Sequence, residues 1–158
     1  MFRCLALWLS VVGGVWAQAS YTLPFRPLDA EYSVPLNRIV MVSSAPNQLH
    51  IYDPATQVNV AVNLPAPPLD LALSPSGAYA AVGHNGSISY VNLFSGVIER
   101  SYTVPGQAQS LVLGATFLYV ELVVESSRQI RSVDLLTGTV ITSTSRGDSL
   151  LGARVHPR

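Results

Sequence analysis

Apolar and polar residues alternate in short runs through most of this chain, and Gly, Pro, Asn and Ser break the runs. Alternation with a period of two over four to eight residues predicts half-buried β-strands. The runs group into three sets of four. The first set is Leu28 to Val34, Arg38 to Ser43, Gln48 to Tyr52 and Val58 to Leu64. The second is Leu69 to Leu73, Tyr79 to Gly83, Ser87 to Asn92 and Val97 to Val104. The third is Ser110 to Leu113, Phe117 to Val124, Gln129 to Asp134 and Thr139 to Thr144. Twelve short strands joined by hairpins are therefore expected. The turns carry suitable chemistry: Asn85-Gly86 tolerates the positive φ of a two-residue hairpin, and Pro75 presets the angle of a β-turn.

The sets share a layout. In each, the third strand ends at a short polar residue, Asp53, Asn92 or Asp134, and a turn containing Thr56-Gln57, Ser95-Gly96 or Thr137-Gly138 leads into the fourth. These markers are 39 and 42 residues apart, close to the length of one four-stranded propeller blade. The second strand of each set, such as Ala78-Tyr-Ala-Ala-Val-Gly83, is apolar on both faces, as expected of a sheet covered on both sides by other sheets. A two-sheet sandwich would expose one face and alternate more cleanly. The expected fold is all-β: a partial β-propeller of about three four-stranded antiparallel blades, at about 27–64, 68–104 and 107–145, with an irregular tail over 146–158.

Leu69-Asp70-Leu-Ala-Leu-Ser-Pro75-Ser-Gly77, followed by a short apolar strand, Tyr90-Val91-Asn92-Leu93 and a Ser-Gly turn, resembles bacterial β-propeller repeats of the YVTN type and their quinoprotein-dehydrogenase-like relatives. The likeness runs over about residues 27 to 145. It implies architecture and not activity, because the shared residues make turns and blade contacts.

Ser20-Tyr21-Thr22-Leu23-Pro24 is repeated almost letter for letter by Ser101-Tyr102-Thr103-Val104-Pro105, 81 residues later. The later copy ends the second set, so residues 20–23 are expected to form an orphan outer strand. Closed propellers have about four to eight blades, so three leave an incomplete ring with apolar faces uncovered at both ends. A fragment of a longer protein, or assembly with another propeller fragment, is the expectation.

The first residues change the picture of location. Met1-Phe2-Arg3, the apolar run Leu5 to Trp16 and Ala17-Gln18-Ala19 have the form of a signal peptide over 1–19, cleaved after Ala19. The run is shorter than the roughly 20 residues a membrane helix needs, so no membrane span is expected in the mature chain. A secreted or periplasmic protein is the expectation. Cys4, the single cysteine, would leave with the leader, and disulfides and thiolate metal sites with it.

All nine basic residues are Arg, they balance nine acidic ones, and they form no cluster. Without a basic patch to attract phosphates, nucleic acid is not an expected partner. His50, His84 and His156 have no second ligand at metal spacing, so structural or surface roles are expected and no metal. Asp53, Asn92 and Asp134 suit either an acidic ring near a channel that binds a cation or, preferably, Asx-turns. Ser74 and Ser76 lack a nucleophile elbow or a paired His and Asp. Glu121 and Glu125 would lie about 13 Å apart on an extended strand, too far for paired acid and base work, and a salt-bridging or solvated role is expected, with Arg128 and Arg131 as nearby partners. Arg146-Gly147-Asp148 reads as a chance adhesion tripeptide and Asn85-Gly86-Ser87 as a turn.

No catalytic, cofactor or metal residue emerges. The expected function is a non-catalytic scaffold binding a protein, glycan or peptide. The alternative is part of a propeller enzyme, lactonase-like or quinoprotein-like, with its catalytic residues in other blades.

Overall fold

The computed structural model describes residues 22–142. These form eleven strands: β1 (Asp29–Ser33), β2 (Arg38–Ser44), β3 (Asn47–Tyr52), β4 (Asn59–Asn63), β5 (Asp70–Leu73), β6 (Tyr79–Gly83), β7 (Asn85–Asn92), β8 (Val97–Leu113), β9 (Phe117–Val124), β10 (Ser127–Asp134) and β11 (Val140–Thr142). No helix occurs among the described residues. Strands β1 to β4 make one antiparallel sheet in sequence order, and β5 to β11 make a second, of seven strands, also in order.

The seven-stranded sheet is two blades sharing one strand. The first part of β8 pairs with β7, from Val97 opposite Asn92 to Thr103 opposite Ser87. Its last part pairs with β9, from Gln107 opposite Val123 to Leu113 opposite Leu118. Eleven strands thus stand where twelve were expected, because the runs at 97–104 and 110–113 are one continuous strand. The physical reason lies in the linkers. Leu64-Pro-Ala-Pro67-Pro68-Leu-Asp70 and Val104-Pro-Gly-Gln107-Ala108-Gln-Ser110 have equal length. Pro67 and Pro68 offer no N–H and the ladder stops there. Ala108, in place of the second proline, donates its N–H to the His84 carbonyl at 3.0 Å and keeps the strand going. Close approach makes this possible: a Cβ on Gly83 would lie 2.3 Å from the Ala108 oxygen, and one on Gly106, whose φ is 118°, would lie 2.4 Å from the Val123 oxygen.

The blades stack face to face. Val40, Val42, Leu49 and Ile51 of the first meet Leu71, Ala80, Val82 and Val91 of the second in one buried cluster. Ala72, Ala81, Ile88 and Tyr102 of the second meet Leu111, Leu118, Val120 and Val133 of the third in another. In β6 the neighbours Ala80 and Ala81 therefore serve different cores, which explains why that run is apolar on both faces. The remaining faces of the first and third blades meet no further blade among the described residues. Tyr32 and Tyr119 on them stay partly exposed.

Of the expected orphan strand, residues 20 and 21 lie outside the described residues, and Thr22 and Leu23 belong to no strand. Two residues on, the Phe25 ring stacks on His50 of the first blade with centroids 3.6 Å apart. The leader over 1–19 and the tail over 146–158 also lie outside the described residues.

Candidate functional site

The turns gather at two ends. At one end are the hairpins between the second and third strands of each blade, including Asn85-Gly86, where the His84 N–H reaches the Ser87 oxygen at 2.9 Å. At the other end are the turns between first and second strands and those between third and fourth. The three polar markers sit at this second end and work alike. Asp53 Oδ1 accepts the Ala55 N–H at 2.9 Å, Asn92 Oδ1 the Phe94 N–H at 2.9 Å, and Asp134 Oδ1 the Leu136 N–H at 2.8 Å. These are Asx-turns. Asp53 is held below the usual carboxylate range chiefly by the Thr56 hydroxyl, and Asp134 chiefly by the Thr137 N–H. The markers end third strands and do not ring the channel.

Acidic side chains do lie at the channel, on the innermost strands, and the sequence reading overlooked them. Asp29 Oδ2 accepts the Leu71 N–H at 3.2 Å, Glu31 Oε2 the Leu73 N–H at 2.9 Å, and Asp70 Oδ2 the Leu111 N–H at 2.6 Å. In β5 and the end of β8, the edge without a partner strand has N–H groups satisfied by carboxylates from the preceding blade. Burial pushes Asp70 up to about 6, helped by the nearby Asp29 carboxylate. The available signal was the recurrence of Leu-Asp at 28–29 and 69–70. Among the described residues no three His, Cys, Asp or Glu converge as a metal site.

The histidines are structural partners. His50 Nε2 lies 3.0 Å from Ser43 Oγ, which itself donates to the Pro46 oxygen, so His50 donates to the serine. Its Nδ1 then accepts from Asn59 at 3.1 Å. His84 has the reverse tautomer: Nδ1 donates to the Pro67 oxygen at 3.1 Å and Nε2 accepts from Ser89 at 2.9 Å. Burial lowers both pKa values, consistent with neutral rings. Ser43 and His50 occupy the register positions that His84 and Ser89 occupy in the next blade, with the residue types exchanged. His156 lies outside the described residues.

Other candidates resolve locally. Ser74 Oγ bonds Ser76 Oγ at 3.0 Å and accepts the Tyr79 N–H at 3.1 Å, within its turn. Glu121 is buried and takes the Arg128 guanidinium, while Arg131 turns to Gln129 at 2.9 Å. Glu125 sits in the β9–β10 turn with φ 45°. Arg146-Gly147-Asp148 lies outside the described residues.

What stands open is a groove between the first two blades, at the end where the Asx-turns gather. It has a volume of about 660 Å³ and is lined by Arg38, Ile51, Asp53, Val58, Val60 and the Leu93–Gly96 turn. Arg38 Nη2 reaches Asp53 Oδ2 at 3.0 Å on its wall, and Phe94 at its lip is 74% exposed.

No protein-family model matches the chain, and no curated protein matches it. Solved structures do. Hydrazine synthase of Kuenenia stuttgartiensis superposes with a TM-score of 0.67 at 16% identity, over 82% of this chain and 38% of that one. The β-propeller domain of Cps50 (Swd1) from Myceliophteria thermophila gives 0.62 at 12% identity, over 74% and 38%. Apo AztD from Citrobacter koseri gives 0.62 at 16% identity, over 80% and 37%. The described residues form an open β-propeller. The chain spans less than two fifths of the length of these structures, and at such identity the likeness concerns the fold alone. In this propeller the innermost strands β1, β5 and the end of β8 line the channel side, and the groove lies between neighbouring blades away from it.

Proposed function

We propose that the protein is a propeller scaffold, exported by a leader cleaved after Ala19 to the periplasm or the exterior, built of YVTN-type repeats and without catalysis of its own. It binds a protein, glycan or peptide through the turns at the Asx-turn end of its blades. The observation that carries this reading is the groove between the first and second blades. It is open to solvent and lined by an ion pair and apolar side chains, a mixture suited to holding a ligand. The polar groups with reactive potential support the same reading, since His50, His84, Ser74, Asp53 and Asp134 are each engaged with a turn or a neighbouring strand.

The test is to probe arrays of glycans and peptides with the exported chain. Binding to an array member is expected to weaken about tenfold on Phe94→Ser and to be unchanged by Asn85→Ser at the opposite end. The bound ligand should be recovered with its mass unaltered. A ligand recovered cleaved or oxidised would overturn the reading and place the chain among propeller enzymes.

A further inference from the structure

The groove between the first and second blades has a counterpart between the second and third, and the counterpart is full. In matching register positions, Arg38, Ile51, Val60 and Val62 of the first blade correspond to Tyr79, Tyr90, Arg100 and Tyr102 of the second. The turn Leu93-Phe94-Ser95-Gly96 corresponds to Leu135-Leu136-Thr137-Gly138. Both turns rest in van der Waals contact on the preceding blade, the first on two valines and the second on a tyrosine ring, so the first sits nearer its sheet. A Cβ on Gly96 would lie 3.6 Å from Val60 Cγ1, and one on Gly138 would lie 3.6 Å from Tyr102 Cδ1.

Between the second and third blades, Tyr79 and Tyr90 stack at 4.9 Å and Tyr90 meets Tyr102 edge-on at 6.3 Å. The Tyr102 hydroxyl donates to the Leu135 oxygen at 2.9 Å, and Arg100 Nη1 donates to the Leu135 and Leu136 oxygens at 2.7 Å each. Burial pushes the Tyr90 phenol up to about 12 and raises that of Tyr102, which keeps the Tyr102 hydroxyl a donor. Between the first and second blades the matching carbonyls belong to Leu93 and Phe94. No side chain among the described residues donates to them, because aliphatic Val60 and Val62 stand where Arg100 and Tyr102 stand in the next blade.

We propose that the groove between the first and second blades binds a small phenol, whose ring occupies the space that Tyr79 and Tyr90 fill between the second and third and whose hydroxyl donates to the Leu93 carbonyl. The inference rests on the reading of the groove as a ligand site and goes beyond the scaffold reading by giving that groove a small-molecule ligand. The ring lies against Ile51 and Val60, with Phe94 closing over it. A volume of about 660 Å³ lies within the usual range for small-molecule sites of roughly 300–1,000 Å³. A cationic amine on the phenol would add the contact that Arg100 makes to two carbonyls in the filled groove.

The experiment titrates the full chain with tyramine and follows the backbone amides of Phe94 and Gly96 by NMR. Saturable shifts are expected there and not at Gly138, where the site is already filled. Phenethylamine, which lacks the hydroxyl, should bind about fivefold more weakly. Ile51→Tyr, which supplies the protein's own phenol at the counterpart of Tyr90, should weaken tyramine about tenfold. If that variant fails to fold, Val60→Arg at a half-exposed position takes its place with the same expectation. Absence of saturation, equal binding of phenethylamine, or undiminished binding in the filled variant overturns the proposal. Binding of a tyrosine-bearing peptide but not of tyramine overturns it as well, in favour of a protein partner. An array ligand that still depends on Phe94 while tyramine fails leaves the scaffold standing and removes only the phenol.

Discussion

The two blade junctions of this propeller have linkers of the same length but are built differently. Between the first and second blades the chain leaves one sheet through Pro65-Ala-Pro67-Pro68 and starts another, and the contact is aliphatic. Between the second and third, β8 runs unbroken from one blade into the next, three tyrosines pack together, and Tyr102 and Arg100 bond the following turn. Two added prolines remove the N–H groups that would carry the ladder, and small aliphatic side chains leave a groove where aromatic ones close it. The difference teaches that a repeat keeps its stacking while spending its side chains on rigidity at one junction and on open space at the other.

The comparison breaks most readily at Gly106. Its φ of 118° and the 2.4 Å approach to the Val123 oxygen mean that Gly106→Ala should cost about 3 kcal/mol in urea unfolding, through strain in the continuous strand. Ala66→Gly, at the matching place in the proline linker, should cost under about 1 kcal/mol. Equal effects at the two positions would mean that strand continuity does not depend on this glycine.

Next comes Tyr102→Phe, which removes only the hydroxyl that reaches Leu135 at 2.9 Å. A loss of about 1 kcal/mol is expected by the same measurement, together with faster hydrogen exchange in the Leu135–Gly138 turn. An unchanged turn would show that the aromatic lock rests on ring packing alone.

The channel side offers a pH test of the carboxylate contacts. Asp70, raised to about 6 from 3.8, binds its proton more tightly folded than unfolded. The stability linked to that proton is fully present below about pH 4 and lost as pH rises through 6. Asp70→Asn keeps an acceptor for the Leu111 N–H and removes the charge beside Asp29. It should therefore be more stable than the parent above pH 6, by on the order of 1 kcal/mol after allowance for solvent screening. The two proteins should converge near pH 4. A parallel pair of stability curves across that range would refute the assignment.

The smallest effect concerns the turns that close each blade. Gln57, Gly96 and Gly138 share one left-handed position, with φ of 61°, 67° and 75°. Gln57→Gly should stabilise the first blade by about 0.5–1 kcal/mol, read as a raised midpoint in thermal unfolding, while Gly96→Gln should cost a similar amount. A destabilised Gln57→Gly would mean that the glutamine side chain has a role of its own.

Much of this was legible locally. Asp53, Asn92 and Asp134 announce their turns because an Asx side chain bonds amides only two or three residues away. Alternation placed the strands for a similar reason. The Asp29, Glu31 and Asp70 contacts were not legible, since their acceptors and donors are about forty residues apart and belong to different blades. The continuous β8 was missed because Pro105-Gly106 reads as a break. Only the close passage of Gly106 and Gly83 past the neighbouring backbone shows that the strand passes through it. The exchanged Ser43–His50 and His84–Ser89 pairs were equally hidden, because only cross-strand register shows that they are the same pair.

By itself the amino-acid order determined an all-β repeat of about forty residues, its strand periodicity and its turn chemistry, all of which depend on neighbours in the chain. Tertiary structure alone decided which junction is sealed and which is open, and which carboxylates face the channel. Those outcomes depend on the volumes and hydrogen-bond donors that two separate blades present to each other, and such pairings exist only once the blades have stacked.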